Sequence, residues 1–301
     1  GSAAGSTAAG GGAAGTSASG DDKLYGYFNV TLNPALEETN SPPNTTLVGK
    51  LYDGPYPPAK SFAQKMEANG CKLYTPEQFF CQPACSNAVC TADDKCTPYP
   101  AAQTVGTVSV TGLGPAAFSM EPKANNYQPP AGTNLPFPPC AAGSQVKLDA
   151  AGGQYPAFAL SAGCIEPLEL AGPVKLMKGQ PLTLSWNKGA ANDAVNINVL
   201  LDISQHGTSK GNITCDVKDT GTLTIPATLV DALLDLGVSG FPTVLVTREI
   251  ESVPPSAGPK NVFLKLSAPY RRAVEIPGLV SCNDDTQCPQ GQTCQPDLKC
   301  M

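Results

Sequence analysis

The chain of 301 residues contains one histidine, so histidine-dependent chemistry can only run through His206. His206 lies in DISQHGTSKGN (202–212), where Gly207 and Gly211 read as a hairpin loop and Asp202 is four residues upstream. A Ser-His-Asp triad would use His206 as its base, with Asp202, Asp216 or Asp219 as the third member. Functional residues favour loops on a rigid scaffold, which makes His206 and Asp202 the first candidates for a ligand site. The plainer alternative is a turn histidine in solvent beside acidic neighbours. No G-x-S-x-G elbow, P-loop, dinucleotide fingerprint or H-E-x-x-H pattern occurs. Glu249 and Glu251 share a strand face and Glu166 and Glu169 flank Pro167, but glycoside hydrolysis depends on a carboxylate separation fixed only in three dimensions. Surface decoration explains these acids more simply, and no catalytic residue is assigned.

Tyrosines form a second set of candidates. Tyr25, Tyr27, Tyr52, Tyr56 and Tyr74 fall in the first quarter of the chain, Tyr56 within GPYPP (54–58). Aromatic rings beside prolines can stack on sugars or proline-rich peptides, and tyrosine is enriched at protein interfaces. Core packing competes for the same residues.

Twelve cysteines are many for a reducing cytosol. The chain ends SCNDDTQCPQGQTCQPDLKCM, with Cys282, Cys288, Cys294 and Cys300 at intervals of six. Thioredoxin-like C-x-x-C is absent, and C-x5-C without histidine is not a paired zinc knuckle. Cys81 and Cys85 fit knuckle spacing only in isolation. Disulfides in an oxidising compartment are therefore expected. Cys71, Cys81, Cys85, Cys90 and Cys96 form one group; Cys140, Cys164 and Cys215 another; the tail a third. The tail can close on itself, whereas at least one bridge must join the first two groups if all twelve pair, and Cys71 is expected to reach Cys140, Cys164 or Cys215, leaving the other two paired. Asp93-Asp94 in CTADDKC and Asp284-Asp285 in CNDDTQC are calcium candidates, since carboxylates in cysteine-tied loops can be pre-arranged for a hard cation. Side-chain capping of turns is the favoured role for them. No cofactor is expected apart from that calcium.

The elements that would hold these residues are mostly strands. Residues 1–22 begin with Gly, Ala, Ser and Thr alone and read as a disordered tether. Period-2 runs with Gly and Pro punctuation follow at short intervals, which predicts a mainly β fold of the β-sandwich type. Four segments are expected: the tether (1–22), a β-rich lobe (23–171) with a cysteine-rich insertion (71–96), an immunoglobulin-like sandwich lobe (172–278), and a disulfide-stapled tail (279–301). SFAQKMEANG (61–70) reads as a short helix, with Ser at its start and Gly at its end. IPATLVDALLDLG (225–237) reads as another, with Pro226 in the first turn and Gly237 as the C-terminal cap. A formal charge of −6 without a basic cluster argues against nucleic acid as partner. No apolar run approaches a membrane span.

DTGTLTIPATLVDALLDLGVSGFPTVLVTR (219–248), the small-residue leader and the cysteine-rich tail together resemble secreted lipoproteins of the myxobacterial type. That resemblance implies an extracytoplasmic, envelope-associated location, with a lipid anchor upstream of Gly1. It carries over no catalytic residue. The expected function is non-enzymatic: a secreted or cell-surface β protein that acts by binding or assembly, with a protein or glycan partner or its own copies. The alternatives are a carbohydrate-binding module using the tyrosines and, third, an extracellular hydrolase.

Overall fold

In β1 (Tyr25–Asn33), Phe28, Val30 and Leu32 are buried while Tyr27, Asn29 and Thr31 face outward, a split that a pleated strand imposes on an alternating sequence. The same alternation recurs along the chain. Through the first half run β2 (Asn44–Tyr52), β3 (Ser61–Ala68), β4 (Cys71–Glu77), β5 (Ala88–Ala92), β6 (Lys95–Pro98), β7 (Val108–Thr111), β8 (Phe118–Met120), β9 (Asn126–Tyr127), β10 (Gln145–Ala150) and β11 (Phe158–Gly163). The second half holds β12 (Val174–Lys175), β13 (Leu182–Ser185), β14 (Asn196–Asp202), β15 (Asn212–Lys218), β16 (Thr222–Ile225), the helix α1 (Ala227–Asp235), β17 (Thr243–Glu251) and β18 (Asn261–Glu275). This computed structural model describes residues 23–36, 40–58, 60–124, 126–190, 192–254 and 258–301, and the expected tether lies outside them.

The protein is mainly β, a multi-sheet sandwich without a barrel. The large sheet runs β3-β4-β15-β14-β17-β18-β1-β2-β9, with β12 added beside β18. A four-stranded sheet, β11-β10-β7-β8, meets β17 and β18 through β11. Two hairpin-like pairs, β13-β16 and β5-β6, complete the architecture. One apolar core runs through both layers, from Leu24 and Phe28 to Leu264 and Val274.

Strand pairing crosses the division expected near residue 171. β1 pairs in parallel with β18, Tyr25 beside Asn261 and Thr31 beside Ser267. β4 pairs with β15 from Cys71–Cys215 to Tyr74–Asn212. Segment 172–278 supplies seven strands, β12 to β18, as an immunoglobulin-like lobe would, but β14, β15, β17 and β18 share their sheet with β1 to β4 and β9. Burial drives this arrangement: β15 and β18 each have a second edge to satisfy and an apolar face to cover.

Ser61–Gly70 differs from expectation. It forms β3 and a tight turn in place of a helix, with β3 antiparallel to β4 and bulged between Gln64 and Met66. Asn69 and Gly70 both take positive φ, 52° and 72°, the geometry of the Asn-Gly hairpin turn. That turn chemistry and the pairing with β4 outweigh the helical propensity of Ala, Gln, Lys, Met and Glu. α1 lies where its caps placed it. Leu229, Val230 and Leu233 are buried, and the helix packs on β3, β4 and β15. On its outer side Asp231 accepts from the Gly179 N–H at 2.6 Å, and Asp235 pairs with Lys178 at 2.5 Å.

Six disulfides close the twelve cysteines, and these belong to an oxidising compartment. Cys71–Cys215 joins β4 to β15, and Cys140–Cys164 pairs the remaining two of the middle group. Cys81–Cys90 with Cys85–Cys96, and Cys282–Cys294 with Cys288–Cys300, interlace in the same order, first to third and second to fourth. Among the described residues no helix is long and apolar enough to cross a membrane.

Candidate binding groove

One row of side chains crosses the outward face of the large sheet. Tyr74 on β4 lies beside Asn212 on β15, and Asn212 beside Asp202 on β14. Two strand spacings separate the first from the last, about 10 Å. The next row holds Thr214 and Leu200. These side chains face outward because Leu73, Ile213 and Leu201, one residue away on each strand, go to the core. Phe62 on β3, with Lys60 before it, stands at one side, and the loop carrying Ser204 to Ser209 at the other. Together they enclose a groove of about 750 Å³, within the range of small-molecule sites.

The 203–211 loop is held rigidly. Asp202 Oδ1 accepts from the Ser204 N–H at 2.8 Å and from its hydroxyl at 2.9 Å. Ser204 Oγ in turn accepts from the Lys210 N–H at 3.2 Å. Ser239, fully buried, donates to the Thr208 carbonyl at 2.8 Å, and the Phe241 N–H donates to the Gln205 carbonyl at 2.8 Å. Gln205 also accepts from the Thr243 hydroxyl. Two glycines permit this packing. A Cβ on Gly207 would lie 2.7 Å from Ser239 Oγ, and one on Gly211 would lie 2.7 Å from the Tyr74 carbonyl. His206 sits at the tip with φ 64°, its ring edge-on to Phe241 at 6.3 Å.

This geometry is not that of a triad. The Ser204 hydroxyl is bonded to Asp202, and the polar contact of the His206 ring is Gln205, 3.4 Å away. Asp216 and Asp219 do not line the groove. Asp219 is buried against Arg248, which is 1% exposed. Arg248 Nε donates to Asp219 Oδ2 at 2.8 Å, and its Nη1 donates to the carbonyls of Glu166 and Pro167, each at 3.0 Å. Its Nη2 donates to the Asn187 carbonyl. Burial on its own would raise the Asp219 carboxyl, but hydrogen bonds from Trp186 and Arg248 outweigh it and hold the group below the usual carboxylate range. The cluster ties three loops to β17. Glu249 and Glu251 both pair with Lys265, the latter at 3.7 Å.

The other candidate tyrosines gather elsewhere. Tyr25 lies opposite Tyr52, and Tyr27 opposite Lys50. The Tyr52 and Tyr56 rings lie 5.2 Å apart at 58°, and Tyr56 and Tyr99 lie 5.4 Å apart at 38°. Tyr99 escapes a count of the first quarter of the chain, but its Pro98-Tyr99-Pro100 repeats the Pro55-Tyr56-Pro57 pattern. The two segments are clamped: the Asp53 N–H donates to the Ala101 carbonyl at 3.0 Å, and Asp53 Oδ1 accepts from the Ala101 N–H at 2.7 Å. Tyr25 and Tyr52 are on β1 and β2, five strand spacings from β15 in the case of β2, about 24 Å. Tyr25, Tyr52, Tyr56 and Tyr99 therefore belong to a different surface from His206, whereas Tyr74 shares its groove. Of the aromatic residues that line the groove, Tyr74 belongs to the candidate tyrosines and Phe62 was not among the sequence candidates; the signal that locates Phe62 is the Asn-Gly turn folding β3 onto β4.

The acidic pairs accept backbone N–H groups, Asp284 within its own turn as expected and the other three from across their loops. Asp93 Oδ1 accepts from the Phe80 N–H at 3.0 Å and Asp94 Oδ1 from the Gln82 N–H at 2.9 Å. Asp284 Oδ1 accepts from the Thr286 N–H at 2.9 Å, and Asp285 Oδ1 from the Cys294 N–H at 2.7 Å. The Thr286 hydroxyl and N–H hold the Asp284 carboxyl below its ordinary value. Among the described residues, metal-like groups arise only at Cys81/Cys85/Cys96 and Cys282/Cys288/Cys294, where the sulfurs are joined in disulfides. No family model matches the chain, and no curated protein matches its sequence.

Proposed function

We propose that this is a non-enzymatic, extracytoplasmic binding protein that engages a surface protein or glycan through the groove beside His206. One observation carries the reading: a concave site braced by Asp202, Ser204 and Ser239 on a rigid sheet, in which the Ser204 hydroxyl is bonded to Asp202 and not to the His206 ring. The six disulfides support a place outside the reducing cytosol, and a lipid tether upstream of residue 1 would hold the sheet clear of the envelope. The test is a broad hydrolase panel run with wild type and His206→Ala, alongside thermal shift against sugars and peptides. No turnover is expected, and ligand shifts should vanish in Asn212→Ala. Turnover that disappears in His206→Ala would overturn the non-enzymatic reading.

A second reading, a carbohydrate-binding module working through the tyrosines, is favoured by the clamped Tyr52, Tyr56 and Tyr99 rings. Loss of binding in Tyr56→Ala with the groove variants unaffected would select it.

A further inference from the structure

The geometry points to a saccharide as the ligand of the His206 groove, with a pyranose ring laid across the row of Tyr74, Asn212 and Asp202, beside Phe62. This rests on the groove being the binding site and adds the class of ligand. A sugar ring needs two things from a protein. Its C–H face wants the negative face of an aromatic ring, and its vicinal hydroxyls want planar groups that accept and donate side by side. The groove supplies both. Phe62 and Tyr74 are half-buried at one side. Lining the groove with them are Asp202, Asn212, Gln205 and His206, which bring a carboxylate, two amides and an imidazole. Asp202 uses Oδ1 for Ser204, and no hydrogen bond to its Oδ2 is found among the described residues. The same holds for the Asn212 side-chain amide.

The other ligand classes fit less well. A phosphorylated ligand calls for a cluster of cations, but the groove has Lys60 and His206 against the Asp202 carboxylate. A lipid chain calls for a lining without charge, whereas Lys60 and the Asp202 carboxylate both line this groove. The tyrosine cluster is the weaker sugar site. Its rings are tilted 58° and 38° against one another and so present no single flat platform.

The experiment is an array of neutral and acidic oligosaccharides, with a peptide array in parallel, probed with the full chain. Wild type is compared with Asn212→Ala, Tyr74→Ala, Tyr74→Phe and Tyr56→Ala, each checked for native circular dichroism. Glycan binding is expected, reduced at least tenfold in Asn212→Ala and Tyr74→Ala and kept in Tyr74→Phe and Tyr56→Ala. Should Tyr74→Ala misfold, Asn212→Ala carries the comparison, because it removes a surface amide from an intact strand. Glycan binding lost only in Tyr56→Ala would overturn the proposal. A peptide binder that depends on Asn212, with no glycan bound, would overturn the saccharide while leaving the groove as the site. Silence on both arrays would overturn both.

Discussion

At the scale of single residues, Arg248 shows most clearly what the fold requires. It occupies a core position on β17 between Val246 and Ile250, with its charge answered by Asp219 and three carbonyls. Removing one partner leaves a buried charge unpaired, so Asp219→Ala should lower the unfolding free energy by about 3–5 kcal/mol, read in a urea titration. Asp219 has a folded pKa below its unfolded value. Its contribution is therefore complete above the ordinary carboxylate range, near pH 4, and is lost as pH falls through the lower folded value. Asp219→Asn should flatten that acid dependence; an unchanged acid limb would contradict the assignment. Asp284 caps its own turn while Asp93, Asp94 and Asp285 accept backbone N–H groups from across their loops, so a calcium chelator should leave the melting temperature where it was. A fall of several degrees would assign an ion to them. Alternation along TVLVTREIE was enough to place Arg248 on the core face. Its partners were not legible, because Glu166, Asn187 and Asp219 come from three separate loops.

Turns and staples dominate at the scale of elements. The Asn69-Gly70 turn sets β3 against β4 and so brings Phe62 to the groove. Gly70 has φ 72° with ordinary space around its missing Cβ, so Gly70→Ala should cost about 1 kcal/mol through backbone strain alone. A neutral result would mean that the turn is not what fixes the hairpin. The tail docks close to the binding loop. The Gly240 N–H donates to the Asp297 carbonyl at 2.7 Å, Ser281 Oγ donates to the Gly240 carbonyl at 2.7 Å, and Cys282 is fully buried. With each tail bridge contributing about 3 kcal/mol, Cys288→Ser/Cys300→Ser should speed amide exchange across 281–301 and at Gly240. Protection retained in the tail would show that it holds without the bridge. α1 was legible from its caps and period, and the tail from its cysteine count. β3 was not, because its residues favour a helix locally and only the turn and the partner strand decide otherwise.

For the whole molecule, the first and last long strands lie side by side. β1 needs β18, and β4 needs β15 along its edge and through Cys71–Cys215. Residues 23–171 expressed alone should therefore fail to fold, and the full chain should unfold in one calorimetric transition. Two separate transitions would restore two independent lobes. The β class was readable because alternation is local. The shared sheet was not, since pairing between residues more than 200 positions apart leaves no local trace. The groove is likewise a product of assembly: the His206 loop was visible as a candidate, while its aromatic side arrives from β3 and β4. Shift mapping on labelled protein, titrated with the strongest oligosaccharide from the array, tests the groove most directly. Amides of 202–214 and 72–76 should move together. Shifts confined to the segments around Tyr25, Tyr52, Tyr56 and Tyr99 would contradict it.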